Sequence, residues 1–162
     1  MLNWAGYARL LAGFFRFQVA IGAVSRSHGL DRFSGASGKA ELLRADLAAL
    51  GAAVQSSETV FAIPSTAHAL GALYVAEGSM FGGKVIAGQL RYLLSGESDG
   101  TSFFRGTRQD APRWKSLVRK LETYSRDEEA VSAMIKGAQM AFQLFEECVT
   151  LAPIPVPGTL KS

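Results

Sequence analysis

Five glycines stand inside one long apolar stretch of this sequence, residues 67–90, and they are Gly71, Gly78, Gly82, Gly83 and Gly88. A glycine in a helix interior costs roughly 0.5–1 kcal/mol against alanine, so five of them in one helix require a reason. At about 100° per residue, the first three fall within a stripe about 60° wide, and Gly83 sits beside it. A smooth face of this kind allows close approach by something large, either another helix or a planar cofactor.

Helix packing is the plainer explanation for these glycines, because small residues at helical spacing most often mark close contact between helices. The Gly82–Gly83 pair is also the predicted site of a kink, since neither residue stiffens the local backbone. Ser79 is a polar group that could hold ordered water beside a bound ligand. Glu77, on an otherwise apolar face, predicts a salt bridge or a hydrogen bond from a backbone N–H group.

Two histidines and one cysteine are the other candidates for ligand or nucleophile chemistry. His28 lies in a serine- and glycine-rich stretch, which is typical of an exposed loop histidine rather than a metal ligand. His68 precedes Gly78 by ten residues, about 15 Å along a helix, which is too far to reach an iron centred over that glycine. Cys148 is the only cysteine, so the sequence predicts neither an internal disulfide framework nor a thiolate metal cluster.

Hydrophobic periodicity places these residues on helices. The predicted helices cover residues 3–24, 40–53, 67–90, 113–123 and 125–149, and the last opens with a capping box of Ser125 and Glu128. A loop at 25–39, a linker at 55–65 and a polar connection at 94–112 separate them. The three phenylalanines Phe14, Phe15 and Phe17 are predicted to belong to the core. The fold class is therefore all-α, with residues 1–151 forming one domain and residues 152–162 a proline-containing tail.

Composition narrows the class of protein further. A length of 162 residues with 48% hydrophobic content suits one domain with a sizeable core. Arg16 and Gln18 interrupt the most apolar N-terminal stretch, and no signal peptide is evident, so we expect a cytoplasmic protein without a membrane partner. The net charge of +3 comes mostly from dispersed basic residues, which does not indicate a nucleic-acid surface.

Three segments, in order along the chain, resemble the heme oxygenase family, especially its bacterial, biliverdin-producing branch. The string LYVAEGSMFGG at residues 73–83 is similar to the family's glycine-rich distal helix. The string FFRGTRQDAPRWKSLVRKL at residues 103–121 is similar to its paired-aromatic motif and the basic helix that follows. The string AFQLFEE at residues 141–147 is similar to the end of its last core helix. The resemblance covers about residues 4–149 and implies a heme oxygenase-like fold with a kinked distal helix.

The resemblance also implies an activity: oxidative cleavage of heme to biliverdin, carbon monoxide and iron, with heme as both cofactor and substrate. The external electron donor would be a reductase or a ferredoxin, and the biliverdin could feed a bilin photoreceptor. The residues implied as catalytic are Gly78, Ser79, Gly82 and Gly83, on the distal side of the heme. The residues implied as heme-binding are Tyr74, Lys115 and Arg119, of which the two basic ones lie four apart on one helix face and pair with the propionates.

The N-terminal string AGYARLL at residues 5–11 is similar to the start of the family's second helix. The family's first helix carries the histidine bound to heme iron, so the resemblance implies that this chain lacks it, and the metal ligand is not assigned. The opened pocket could be covered by a homodimer.

Two other functions stay open at this point. One is a non-catalytic heme- or tetrapyrrole-binding homologue that has lost the proximal histidine. The other is a different enzyme on the same scaffold. A thiaminase-like protein would need a pocket cysteine, and a di-iron oxidase would need several Glu and His ligands, so both fit this sequence poorly.

Overall fold

The computed structural model describes residues 4–54, 60–93 and 100–150. Within these ranges there is no strand, and six helices have 13 residues or more, which confirms the predicted all-α fold. The helices are α1 (Trp4–Ser27), α2 (Ala36–Ala49), α3 (Thr66–Gly78), α4 (Met80–Leu93), a short α5 (Ser102–Arg105), α6 (Asp110–Glu122) and α7 (Glu128–Thr150). Parts of the predicted linker (55–59) and connection (94–99), and the whole predicted tail (152–162), lie outside the described residues.

Helix α1 forms the centre of the core, packed between α2 and α7. Phe14 contacts the rings of Phe103, Phe104 and Phe145 at centroid distances of 5.1, 5.4 and 4.9 Å, which confirms that the N-terminal phenylalanines belong to the core. Among the helices described, α1 alone has the length and apolar composition of a membrane span. Of the window that meets this test, 67% is buried inside the protein, as in the core helix of a packed domain.

Helix α2 begins at Ala36, so the prediction of a loop through residue 39 was wrong. A 3-10 turn at Asp31–Phe33 precedes it, and the hydroxyl oxygen of Ser34 accepts from the Ala36 N–H at 3.2 Å. The backbone N–H of the N-cap residue Gly35 donates to Oε1 of Glu77, at 2.7 Å. A residue 42 positions away therefore satisfies part of this helix start, and local sequence carries no signal of that contact.

The central glycine-rich stretch is two helices, with a break at Ser79 rather than at the predicted Gly82–Gly83 pair. The Ser79 hydroxyl donates to the Ala76 carbonyl at 2.7 Å, in competition with the helical backbone bonds at this turn. At the other end, Ser65 caps α3 by accepting from the His68 backbone N–H at 3.3 Å. The long predicted helix is thus confirmed in extent, and its break is displaced by one turn.

Two contacts from distant residues position the segments after α4. The carboxylate of Asp46 accepts from the backbone N–H groups of Ser102 and Phe103, each at 2.9 Å, and so caps α5. Tyr7 donates to the carbonyl of Gly100, and burial together with the charge of Asp46 raises the pKa of the Tyr7 phenol well above its ordinary value.

The start of α7 differs from the predicted capping box. Ser125 donates its hydroxyl to the Glu122 carbonyl at 2.8 Å. The carboxylate of Asp127 accepts from the backbone N–H groups of Glu129 and Ala130 at 3.0 and 3.2 Å. Asp127 is therefore the N-cap, and the prediction that Ser125 caps α7 was wrong.

Helices α3 and α7 cross with their backbones in direct contact. A Cβ atom on Gly71 would collide with the carbonyl oxygen of Met134, and one on Gly137 would collide with the carbonyl oxygen of His68. Glycine is required at both positions by this close approach. For Gly71, helix packing is therefore the correct explanation.

Candidate functional site

The second half of the glycine-rich segment, α4, has an apolar face that the fold leaves open. Gly82 is exposed, and a Cβ atom placed on it would meet nothing within 4 Å. Val85 and Ile86, at neighbouring positions around the helix, are 63% and 39% exposed. Apolar side chains that cluster on an exposed helix face indicate a ligand or partner site.

Gly83, about 100° further around α4, lies on its buried side. A Cβ atom there would lie 3.0 Å from the carbonyl oxygen of Phe104, so this glycine is explained by packing against α5. The structure therefore does not bring Gly83 together with Gly82 on one face. The distinction could not be read from the sequence, where the two are adjacent.

An aromatic cluster joins the end of α3, the start of α4 and α6. The Trp114 ring lies 5.1 Å from the Tyr74 ring and 5.3 Å from the Phe81 ring, centroid to centroid. Tyr74 and Phe81 are 47% and 58% exposed. Gly78 lies beneath this cluster, because a Cβ atom on it would be 3.3 Å from the Trp114 ring. The cluster extends the open face of α4 towards α6 with flat rings suited to a planar ligand.

Ser79, at the break between α3 and α4, is exposed. Its hydroxyl proton is used in the bond to Ala76, so towards a further group the oxygen can only accept. An acceptor at this point can hold a water molecule or another donor next to Gly78.

The two predicted cation positions lie on α6, and both Lys115 and Arg119 are exposed. Lys115 directly follows Trp114, so the first cation is one residue from the aromatic cluster. Their spacing of four residues places them on one face of the observed helix, as predicted. The arrangement offers positive charge beside an apolar surface, which suits a flat molecule with anionic groups.

Behind this surface lies a buried cluster of charges. Glu77 is fully buried; its Oε2 accepts from Lys39 Nζ at 3.3 Å and from Arg113 Nη1 at 3.2 Å. Arg113 also donates to Asp110 Oδ1 at 2.9 Å. Glu77 was predicted to make a salt bridge or to accept a backbone hydrogen bond, and it does both. Lys39 and Arg113 were missed, because nothing in their local sequence marks them as partners of Glu77, and Asp110 joins the cluster only through Arg113.

Asp110 keeps its negative charge within this cluster for identifiable reasons. Burial by itself would raise the pKa of its carboxyl. The backbone N–H of Thr107 donates to it at 2.8 Å, Arg113 donates from the other side, and Lys39 adds a nearby positive charge. Together these contacts outweigh burial and hold the pKa of Asp110 below its ordinary value.

Gln18 is a second buried polar residue that sequence reasoning did not single out as a site. It is 1% exposed, and neither its Nε2 nor its Oε1 has a hydrogen-bond partner. Buried amides are normally satisfied by protein or by ordered water. Gln18 thus has the capacity to bind water inside the core.

The histidines and the cysteine have ordinary structural surroundings. Nδ1 of His68 lies 2.7 Å from the Ser65 hydroxyl at the start of α3, and His28 is half-buried after α1. Burial raises the pKa of the Cys148 thiol, as in an inert core cysteine. In the part of the chain that the structure describes, no three His, Cys, Asp or Glu side chains come together as a metal site.

The chain is similar to known proteins over most of its length. The sequence model of the family described as heme oxygenase matches residues 7–150. A protein named heme oxygenase from Xanthomonas campestris pv. campestris is 34% identical over 117 residues, which cover 70% of this chain and 68% of that protein. Heme oxygenase PigA from Pseudomonas aeruginosa is 34% identical over 147 residues, which cover 86% of this chain and 73% of that protein.

Proposed function

Because the chain belongs to the heme oxygenase family, we propose that it binds heme and cleaves it oxidatively to biliverdin, carbon monoxide and iron. One structural observation carries this proposal. Gly82 is exposed on an apolar helix face, with nothing within 4 Å of its missing side chain, although glycine weakens a helix. A planar ligand lying against the helix backbone explains that glycine.

The residues of this face fit the chemistry of heme. Gly82 lets a flat ring approach the backbone, Gly78 makes room for the Trp114 ring beside it, and Tyr74 and Phe81 offer exposed aromatic surface. Lys115 and Arg119, both exposed and four residues apart on α6, would pair with the two propionates. When bound, heme supplies both the iron that activates oxygen and the ring that is opened. The protein contributes the orientation of the ring and the exclusion of bulk water from one side.

One polar group would complete this site. The Ser79 oxygen can accept from a water molecule beside Gly78. Water held there would pass protons towards the ligand. Electrons would come from an external reductase or ferredoxin, and a bilin photoreceptor pathway would use the biliverdin. A homodimer could cover apolar surface beside the site.

A hemin titration followed by turnover tests the proposal. The wild-type protein is titrated with hemin by absorption spectroscopy and then supplied with ascorbate or a reductase in air. Gly82→Leu places a bulky side chain on the proposed face and is expected to weaken hemin binding at least tenfold, about 1.4 kcal/mol. Gly38→Leu is the matched control, since Gly38 is also an exposed helical glycine with nothing within 4 Å.

The outcomes separate the candidate functions. Saturable binding that converts to a biliverdin absorption band, lost in Gly82→Leu and kept in Gly38→Leu, would support heme cleavage at this face. Saturable binding without ring opening would favour the non-catalytic heme-binding alternative. Equal loss in both variants, or binding unaffected by Gly82→Leu, would exclude this face as the heme site.

A further inference from the structure

The buried charge cluster behind the site joins three separate elements at one carboxylate. Glu77, the residue before Gly78, accepts from the Gly35 N–H before α2, from Lys39 in α2 and from Arg113 in α6. Arg113 also donates to Oδ1 of Asp110 at 2.9 Å. The backbone N–H of Thr107 donates to Oδ2 of the same carboxylate at 2.8 Å. Every donor to Glu77 is thus directed at a residue adjacent to the proposed heme site.

Stability alone is a weak reason for such a cluster. The desolvation of two buried ions offsets most of their attraction, so apolar residues of similar size would often serve as well. Buried ion pairs contribute more to geometry, because charge-assisted bonds are short and directional. A planar guanidinium in particular fixes the position of the helix that carries it.

The positions next to this ion pair show what its geometry controls. Glu77 is bonded to Arg113, and the residues that follow each of them face one another, since a Cβ atom added to Gly78 would lie 3.3 Å from the Trp114 ring. Lys115 comes next on α6. A shift of Arg113 along α6 therefore carries the Trp114 ring and the Lys115 charge across the Gly78 face.

We propose that the Glu77–Arg113 pair is a positioning device that sets the placement of α6 over Gly78, and through it the rotation of the bound ring. This inference rests on the proposed heme cleavage, since the ring edge presented to oxygen determines the biliverdin isomer. Glu77 and Arg113 touch neither ring nor iron in this scheme and act through Trp114 and Lys115. A misplacement of about 1 Å at a reacting centre can change a rate on the order of 100-fold.

Arg113→Lys tests the pair with the least change in charge. It keeps the cation and loses the planar guanidinium, and Glu77→Gln removes the negative partner while keeping the shape. Arg44→Lys is the matched control, because Arg44 forms an exposed i,i+3 pair with Glu41 at 3.7 Å. Lys39→Met is a second control, since it breaks a buried bond between Glu77 and α2 and leaves the Glu77–Arg113 and Asp110–Arg113 bonds in place.

Two readouts are used, in a Trp4→Phe background that leaves Trp114 as the only tryptophan. Without hemin, the fluorescence maximum and acrylamide quenching of Trp114 report the position of α6. With hemin and reductant, the ratio of biliverdin isomers reports the rotation of the ring. We expect Arg113→Lys and Glu77→Gln to red-shift the Trp114 emission and to change the isomer ratio about threefold or more.

The controls are expected to keep the parent isomer ratio, even where Lys39→Met lowers stability. An unchanged ratio in folded Arg113→Lys, or an equal change in Lys39→Met, would overturn the positioning role. Absence of hemin turnover in the parent would count against the proposed function instead. In that event, the Trp114 emission still decides whether Arg113 positions α6, and unchanged emission in both site variants would refute it.

Discussion

The crossing of α3 with α7 and the exposed face of α4 both contain helical glycines, but for different reasons. At the crossing, Gly71 and Gly137 are each pressed against a backbone carbonyl of the other helix. On α4, Gly82 and Gly88 have nothing within 4 Å. Packing among the described residues therefore explains the first pair and does not explain the second. The comparison teaches that a glycine becomes evidence of a ligand face only after packing has been excluded.

The largest effect is expected at the crossing. Gly137→Ala places a methyl group against the His68 carbonyl, which is backbone and cannot rotate away. We expect the free energy of unfolding to fall by about 3 kcal/mol, at the upper end for overpacking, as measured by urea denaturation. Wild-type stability in this variant would mean that α3 and α7 are not in backbone contact.

An intermediate effect is expected at Gly83, which is packed less tightly than the glycines of the α3–α7 crossing but is not open like Gly82. Its added Cβ would lie 3.0 Å from the Phe104 carbonyl, and α5 has only four residues with which to resist a shift. We expect Gly83→Ala to lower the free energy of unfolding by about 1–2 kcal/mol in the same urea assay. A loss of stability as large as that of Gly137→Ala, or a gain, would contradict the expectation that α5 shifts to accommodate the added methyl group.

On the open face the sign of the stability effect is expected to reverse. Gly82→Ala and its control Gly38→Ala both add a methyl group that meets nothing, so each should stabilise the protein by about 0.5–1 kcal/mol. Only Gly82→Ala is expected to lower hemin turnover. Equal turnover in both variants would remove the argument that Gly82 is retained for a ligand.

The smallest effect concerns the different interactions that hold α7 and α6 against α3. Close packing alone joins α3 to α7 in the contacts described, whereas α6 is joined to α3 by charges as well as by packing of Trp114 and Leu117, so acid should weaken the second region more than the first. The pKa of Asp110 is lowered in the folded protein, so its stabilising contribution is present above about pH 4 and is lost as the pH falls through the folded pKa.

Urea midpoints measured between about pH 5 and pH 2 test this expectation. The wild-type midpoint should fall more steeply with acid than that of Asp110→Asn, in which the carboxyl near Arg113 no longer titrates. Parallel slopes would show that Asp110 does not contribute to the acid sensitivity of this region.

Much of the fold and part of the site could be predicted from local patterns. Apolar periodicity located the long helices, including the phenylalanine-rich core helix α1. Three short strings indicated the family, which the comparisons confirm. The spacing of Lys115 and Arg119 placed them on one face of a real helix. The roles predicted for these two residues, and for Gly78, Ser79, Gly82, Gly83 and Tyr74, remain predictions.

Tertiary structure alone decided several other features. The start of α2 depends on Glu77, the break after α3 lies at Ser79, and Gly83 faces Phe104 rather than the open face. In each case the deciding atoms are distant in sequence or belong to a competing side chain. Periodicity records which side of a segment is apolar, which is a local property. Helix caps, helix breaks and glycine contacts depend on which other backbone and side-chain atoms pack against the position, and only the folded chain determines that.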